Sequence, residues 1–248
     1  MLMEAIGITV VVLLAACRVF VFRRRGKSIP AALGFVLNRR SFVHLLIGAV
    51  IGAIAISTVF FVEWSTGLLR VAKFNALSAL QEDCFYFIAK PFVEEFIFRC
   101  TILGALLLWI PKKPIALMLS AIIFGSGHLI NPNASFISIL STMLGGLAYG
   151  CAFLAAERIW FPLGLHITWN YCQARVFGFV LSGKFNGPVP FIQQHDLGPA
   201  LLTGGAYGPE GGILGLCARI LVLGLITAWV LRERNSSSRE KGFADTTV

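Results

Sequence analysis

Charge is scarce in this sequence. Only 13% of the 248 residues are Asp, Glu, Lys or Arg, against about 25% in a soluble domain. Hydrophobic residues make up 57% and the mean hydropathy is +0.80. That balance excludes a soluble domain of any size within this length and fits one compact polytopic membrane domain. Also missing are Cys-x-x-Cys and any Cys/His cluster. The six cysteines, at positions 17, 84, 100, 151, 172 and 217, are scattered through apolar runs. Neither a disulfide framework nor a cysteine zinc site is signalled, and we read all six as small buried hydrophobes. The zinc-protease signature H-E-x-x-H is absent too, as is an internal repeat. The first apolar run, EAIGITVVVLLAACRVFVF, has its positive charge after it and no small-residue cleavage site. A secretory leader has the reverse order, so this run is expected to remain as a spanning helix.

What the sequence does have is long apolar runs. Seven candidate spans emerge, at about 4–22, 43–62, 84–110, 114–131, 135–156, 160–181 and 212–231, each near the ~20 residues a crossing needs. Residues 63–83 are more polar, with apolar residues at near-helical spacing. They suggest an interfacial amphipathic helix or an eighth span. The expected fold class is therefore all-α, a single transmembrane bundle over 1–248, with a polar, disordered tail at 232–248.

The net charge of +9 does not indicate nucleic acid, because the basic residues sit between the apolar runs rather than along one face. With the N-terminus outside, the inner side holds thirteen: Arg23, Arg24, Arg25, Lys27, Arg39, Arg40, Lys112, Lys113, Arg158, Arg232, Arg234, Arg239 and Lys241. The outer side holds Arg70, Lys73 and Lys184. This is the positive-inside pattern and places the C-terminus in the cytoplasm. The expected setting is a bacterial cytoplasmic membrane. A Gly- and Pro-rich outer loop precedes the last span. It is expected to be ordered only by packing on the helices, as a lid over a site.

Ionisable groups inside apolar helices are costly and mark functional sites by default. KPFVEEFIFRC (90–100) carries two adjacent carboxylates. Glu94 and Glu95 project about 100° apart on a helix, so they cannot do one job. Glu95 and Arg99 are four apart in the favourable order for an ion pair and read as a brace. Glu94 needs a partner from another helix, or works on water; Lys90, four residues before it, either pairs with it or snorkels outward. His128 ends FGSGH, beside small residues that permit close helix approach. A lone histidine there is more often a packing residue. HITWN puts His166 and Asn170 on one helical face, where structural and functional readings weigh equally. Together the four supply a base, two imidazoles and an amide donor from three helices, a set suited to activating water and stabilising an oxyanion.

EEFIFR, FGSGH and HITWN match E-E-x-x-x-R, F-x-x-x-H and H-x-x-x-N in order on successive apolar segments. The chain thereby resembles the CPBP family, which comprises CAAX proteases and bacteriocin-processing (Abi) enzymes. WNYCQARVFGFVLSG and LTGGAYGPEGG are similar to bacterial members, extending a motif core over 84–212. The resemblance implies an intramembrane endopeptidase with Glu94 as general base. His128 would help hold the water, His166 and Asn170 would form the oxyanion site, and Glu95 and Arg99 would support them. A zinc site of Glu94, His128 and His166 is the alternative chemistry; no cofactor is the favoured reading. Expected partners are the lipid bilayer and a peptide or membrane-protein substrate. Two other classes compete: a non-catalytic scaffold or immunity factor on the same fold, and a proton-coupled transporter, which the lack of inverted repeats disfavours.

One geometric difficulty is visible in the spacing. At about 1.5 Å per residue, Glu94 and His128 lie some 20–25 Å from the inner ends of their runs, and His166 only about 10 Å from its own. Their convergence requires tilted or projecting helices, or a sixth span that begins deeper.

Overall fold

The structure is a computed structural model that describes residues 2–184 and 187–245, with side chains from Gly7 to Glu233. It is mostly helical: α1 (Leu2–Arg24), α2 (Ile29–Leu33), α3 (Arg39–Ser65), α4 (Cys84–Glu95), α5 (Gly104–Trp109), α6 (Lys113–Ser126), α7 (Phe136–Ala156), α8 (Trp160–Tyr171), α9 (Ala200–Thr203) and α10 (Ile213–Asp245). Among the described residues, three helical stretches are long and apolar enough to cross a membrane: Arg39–Ser65, Phe136–Ala156 and Ile213–Glu233.

Local signals start these helices where the chain needs them. Asn38 accepts from the Ser41 amide while the Ser41 hydroxyl accepts from the Asn38 amide, a reciprocal cap on α3. The 27 residues that follow contain no proline and span about 40 Å, more than the ~30 Å hydrocarbon core. Ser135 and Ser138 cap α7 in the same way. Its far end is closed by Glu157 in the left-handed conformation, at φ 53°.

The centre of the bundle is the packing of α3 on α8. At Gly48 an added Cβ would collide with the Phe161 carbonyl oxygen, and at Gly164 with that of Leu45. The two backbones approach this closely only because both positions lack a side chain. Behind them lie buried Phe161, Leu165 and Trp169, with Ile56, Phe60, Ala148 and Val222 from α3, α7 and α10. Apolar side chains also face outward along the helices, among them Leu46, Val50 and Ile54 of α3 and Ile122 of α6. For a bundle surrounded by lipid this is the expected surface.

Three expectations change. Of the six cysteines only Cys100 is buried, and Cys84 and Cys217 are exposed. Residues 63–83 form neither an interfacial helix nor a span. Strand β1 (Leu69–Phe74) pairs antiparallel with β2 (Ile192–Asp196), with Leu69 opposite Asp196, and a 3₁₀ turn follows at Leu77–Leu80. The partner strand lies more than a hundred residues away, so local periodicity could not reveal it. This ribbon ties the loop before α10 by backbone hydrogen bonds as well as by packing. The last helix continues to Asp245, so the backbone is helical through most of a stretch expected to be irregular. Residues 246–248 of that tail lie outside the described residues.

Candidate active site

Glu94 and Glu95 close α4, and the chain then widens into a π-helix over Phe96–Leu103. Such segments interrupt the regular ladder and recur at functional sites. Other helices reach the carbonyls within it. Ser120 of α6 donates to the Phe98 carbonyl at 3.3 Å, and Arg18 of α1 donates to that of Cys100. The segment bearing the two carboxylates is thus pinned from two sides.

The two glutamates meet the same histidine from different directions. Glu95 is fully buried. Its Oε1 lies 2.8 Å from His166 Nδ1 and its Oε2 lies 3.2 Å from Arg99 Nε. The Arg99 contact is an ion pair rather than a well-aligned hydrogen bond. With Nδ1–H donating to Glu95, the imidazole turns Nε2 toward Glu94, 3.5 Å from its Oε2. The Glu94 side chain keeps 20% of its exposure, and Lys90 Nζ stands 4.0 Å from its other oxygen. Glu95 is thus a buried orienting group, and Glu94 is a carboxylate left partly exposed. The Glu95–Arg99 brace and the Lys90 contact are both as the spacing suggested.

His128 lies just beyond the end of α6, in a turn. Its Nδ1–H donates to the Phe124 carbonyl at 2.9 Å, which fixes the ring and leaves Nε2 available. The Phe124 ring lies 4.9 Å from the His128 ring and 6.3 Å from that of His166, so it separates the two imidazoles. Asn170 is buried one turn beyond His166 on α8. Despite the spacing, Glu94 and His166 do meet; α6 ends at Ser126, and the helix that carries His166, α8, is 12 residues long. Two hydrogen bonds fix the start of α8, with the Ile159 amide donating to the Gly34 carbonyl and Trp160 Nε1 to that of Val36.

Among the described residues no three His, Cys, Asp or Glu side chains are grouped closely enough to hold a metal ion. Glu94, His128 and His166 are thus not grouped as a ligand set in this structure.

A second layer was missed in the sequence. The Tyr149 ring stacks on His166 with centroids 4.5 Å apart and planes 16° apart. Its hydroxyl accepts from Arg219 Nη1 at 3.0 Å. Arg219 Nη2 also holds Glu210 Oε1 at 2.8 Å, and the Ser182 hydroxyl donates to Glu210 Oε2 at 2.7 Å. The Trp169 ring lies 3.6 Å from the Arg219 guanidinium, a close cation–π contact. Burial by itself would push the Glu210 carboxyl up. Arg219, the Ser182 hydroxyl and the fields of His128 and His166 outweigh that and hold it below its usual 4.5. An arginine inside an apolar helix was a sufficient signal for Arg219. Glu210, in a glycine-rich loop, gave no comparable sign.

Comparison with curated proteins and with solved structures finds no match to this chain. Residues 77–172 match the family model described as type II CAAX prenyl endopeptidase Rce1-like. The matched segment runs from the turn before α4 through α8, and all three motifs lie inside it. The similarity to that family is thus confined to residues 77–172, the segment that holds the two glutamates and both histidines.

Proposed function

We propose that this protein is an intramembrane endopeptidase in which Glu94 activates the hydrolytic water. The observation that carries this reading is the division of labour around His166. Glu95, neutralised by Arg99, holds Nδ1, while the more accessible Glu94 faces Nε2. A water bound beside Glu94 and Nε2 adds its oxygen to the scissile carbonyl carbon and gives its proton to Glu94. The oxyanion so formed is stabilised by the Asn170 amide, and by His166 Nε2–H when that ring, held at Nδ1 by Glu95, carries both protons. Glu94 returns the proton to the departing amine as the C–N bond breaks. His128, with its Nδ1–H committed to Phe124, helps hold the water through Nε2.

The substrate class is a peptide segment of a membrane-associated protein, presented at the bilayer. The matched family's description adds a prenylated C-a-a-X tail as one candidate. The remaining apolar helical stretches complete seven crossings of a bacterial cytoplasmic membrane, with the C-terminus inside.

The test is cleavage of quenched fluorescent peptides, prenylated and unprenylated, by full-length protein in detergent. Glu94→Gln should lower kcat by at least about a hundredfold, with unchanged thermal unfolding. Activity should survive a chelator. Retained cleavage in Glu94→Gln would refute the assignment, and loss with chelator restored by zinc would replace it with a metal mechanism.

A further inference from the structure

At the basic end of the bundle, away from the glutamates, lies a polar cleft of about 720 Å³. It is bounded by the first two turns of α3, the end of α7 and the loop after it, and the end of the apolar part of α10. Arg39, Arg40 and Arg158 line it, with Glu157, Glu233 and His44. Three guanidiniums against two carboxylates leave one positive charge in excess with His44 neutral. Arg158 donates to the Asn38 side chain. Among the described residues, Arg39 and Arg40 have no ion-pair partner. They occupy the first turn of α3, where the helix dipole disfavours cations, so an anion beside them would relieve an existing electrostatic cost.

The rest of the lining is apolar and leads out of the cleft. Val43 and Ile47 lie on its α3 side, and Trp229 forms an aromatic wall on its α10 side. The α3 stripe continues through exposed Val50 and Ile54, at the spacing of one helical face. The cleft therefore joins a site for one negative charge to an exposed apolar track on a helix able to cross a membrane. A free anion would use only the first part. A phospholipid would use both, with its phosphate among the arginines and one acyl chain along α3.

We propose that this cleft binds the phosphodiester headgroup of an anionic phospholipid. Basic pockets between helices at a membrane face have the chemistry such headgroups need, and the single excess charge matches the single charge of a phosphodiester. The site is independent of the protease assignment, which involves none of these residues.

Native mass spectrometry of the full-length protein tests it, with phosphatidylglycerol, phosphatidylcholine or inorganic phosphate added to delipidated samples. The pocket variant is Arg39→Gln with Arg40→Gln. The control is Arg23→Gln with Arg24→Gln, which removes the same charge at the end of α1. Thermal unfolding confirms that both variants fold. The expected result is preferential retention of phosphatidylglycerol by the wild type, reduced about tenfold in the pocket variant and little changed in the control. Equal retention of phosphatidylcholine, or equal loss in the control, would overturn the site. Displacement of the lipid by millimolar phosphate would overturn the lipid as its occupant.

Discussion

Arg99 and Arg219 both face the Tyr149 ring, at 5.2 and 5.7 Å, and each holds a buried carboxylate. Their partners come from different places. Arg99 takes Glu95, four residues earlier on the same helical stretch. Arg219 takes Glu210, in a 3₁₀ turn before α10. The first pair can form as soon as its helix does. The second forms only when the loop docks on the bundle, and its field then reaches His128 and His166. One pair braces the helix that carries the two glutamates, and the other couples a loop to the candidate site.

The comparison is broken hardest by Arg99→Ala. It strands Glu95 in the interior without a cation, a change that costs about 3–5 kcal/mol. A large drop in the thermal midpoint in detergent should accompany loss of cleavage. Arg219→Ala should cost less, about 1–3 kcal/mol, because the loop can release Glu210 toward solvent. Limited proteolysis should then cut residues 182–211 faster than in the wild type. An unfolding cost equal to that of Arg99→Ala, with an unchanged loop, would contradict the distinction.

pH separates the pairs further. The Glu210 carboxyl is held below 4.5 in the folded protein, so its contribution is fully present above the unfolded value. It is lost as pH falls through the lower folded value. Stability measured downward from pH 5 should therefore decline, and Glu210→Gln should flatten that decline. An unaltered acid limb in the variant would assign the decline to other groups. The smallest effect is expected from Tyr149→Phe, which keeps the ring on His166 and loses the bond from Arg219. A cost of about 1 kcal/mol with kcat nearly unchanged would show that the stack positions His166. A large fall in kcat would show that the hydroxyl does.

Much of the site was legible because its chemistry is costly in lipid. Glu94, Glu95, Arg99, His128 and His166 stood out as ionisable groups among apolar residues, and the spacing of Glu95 and Arg99 gave their pairing directly. What spacing could not show is that His166 bridges the two glutamates, since that depends on how α8 packs against α4. The ribbon of β1 and β2 was illegible for a related reason. RVAKF and FIQQHD are short, and each acquires its strand character from the other.

The sequence by itself determined the membrane class, the basic bias and the identity of the groups able to do chemistry. Those follow from the free energy of placing each side chain in lipid or water, which is local. Tertiary structure alone decided which carboxylate holds the imidazole at Nδ1, which stays partly exposed, and that Arg219 ties Glu210 to Tyr149. Those depend on contacts between distant segments, set by the close approach of α3 and α8 at Gly48 and Gly164 and by the docking of the loop before α10.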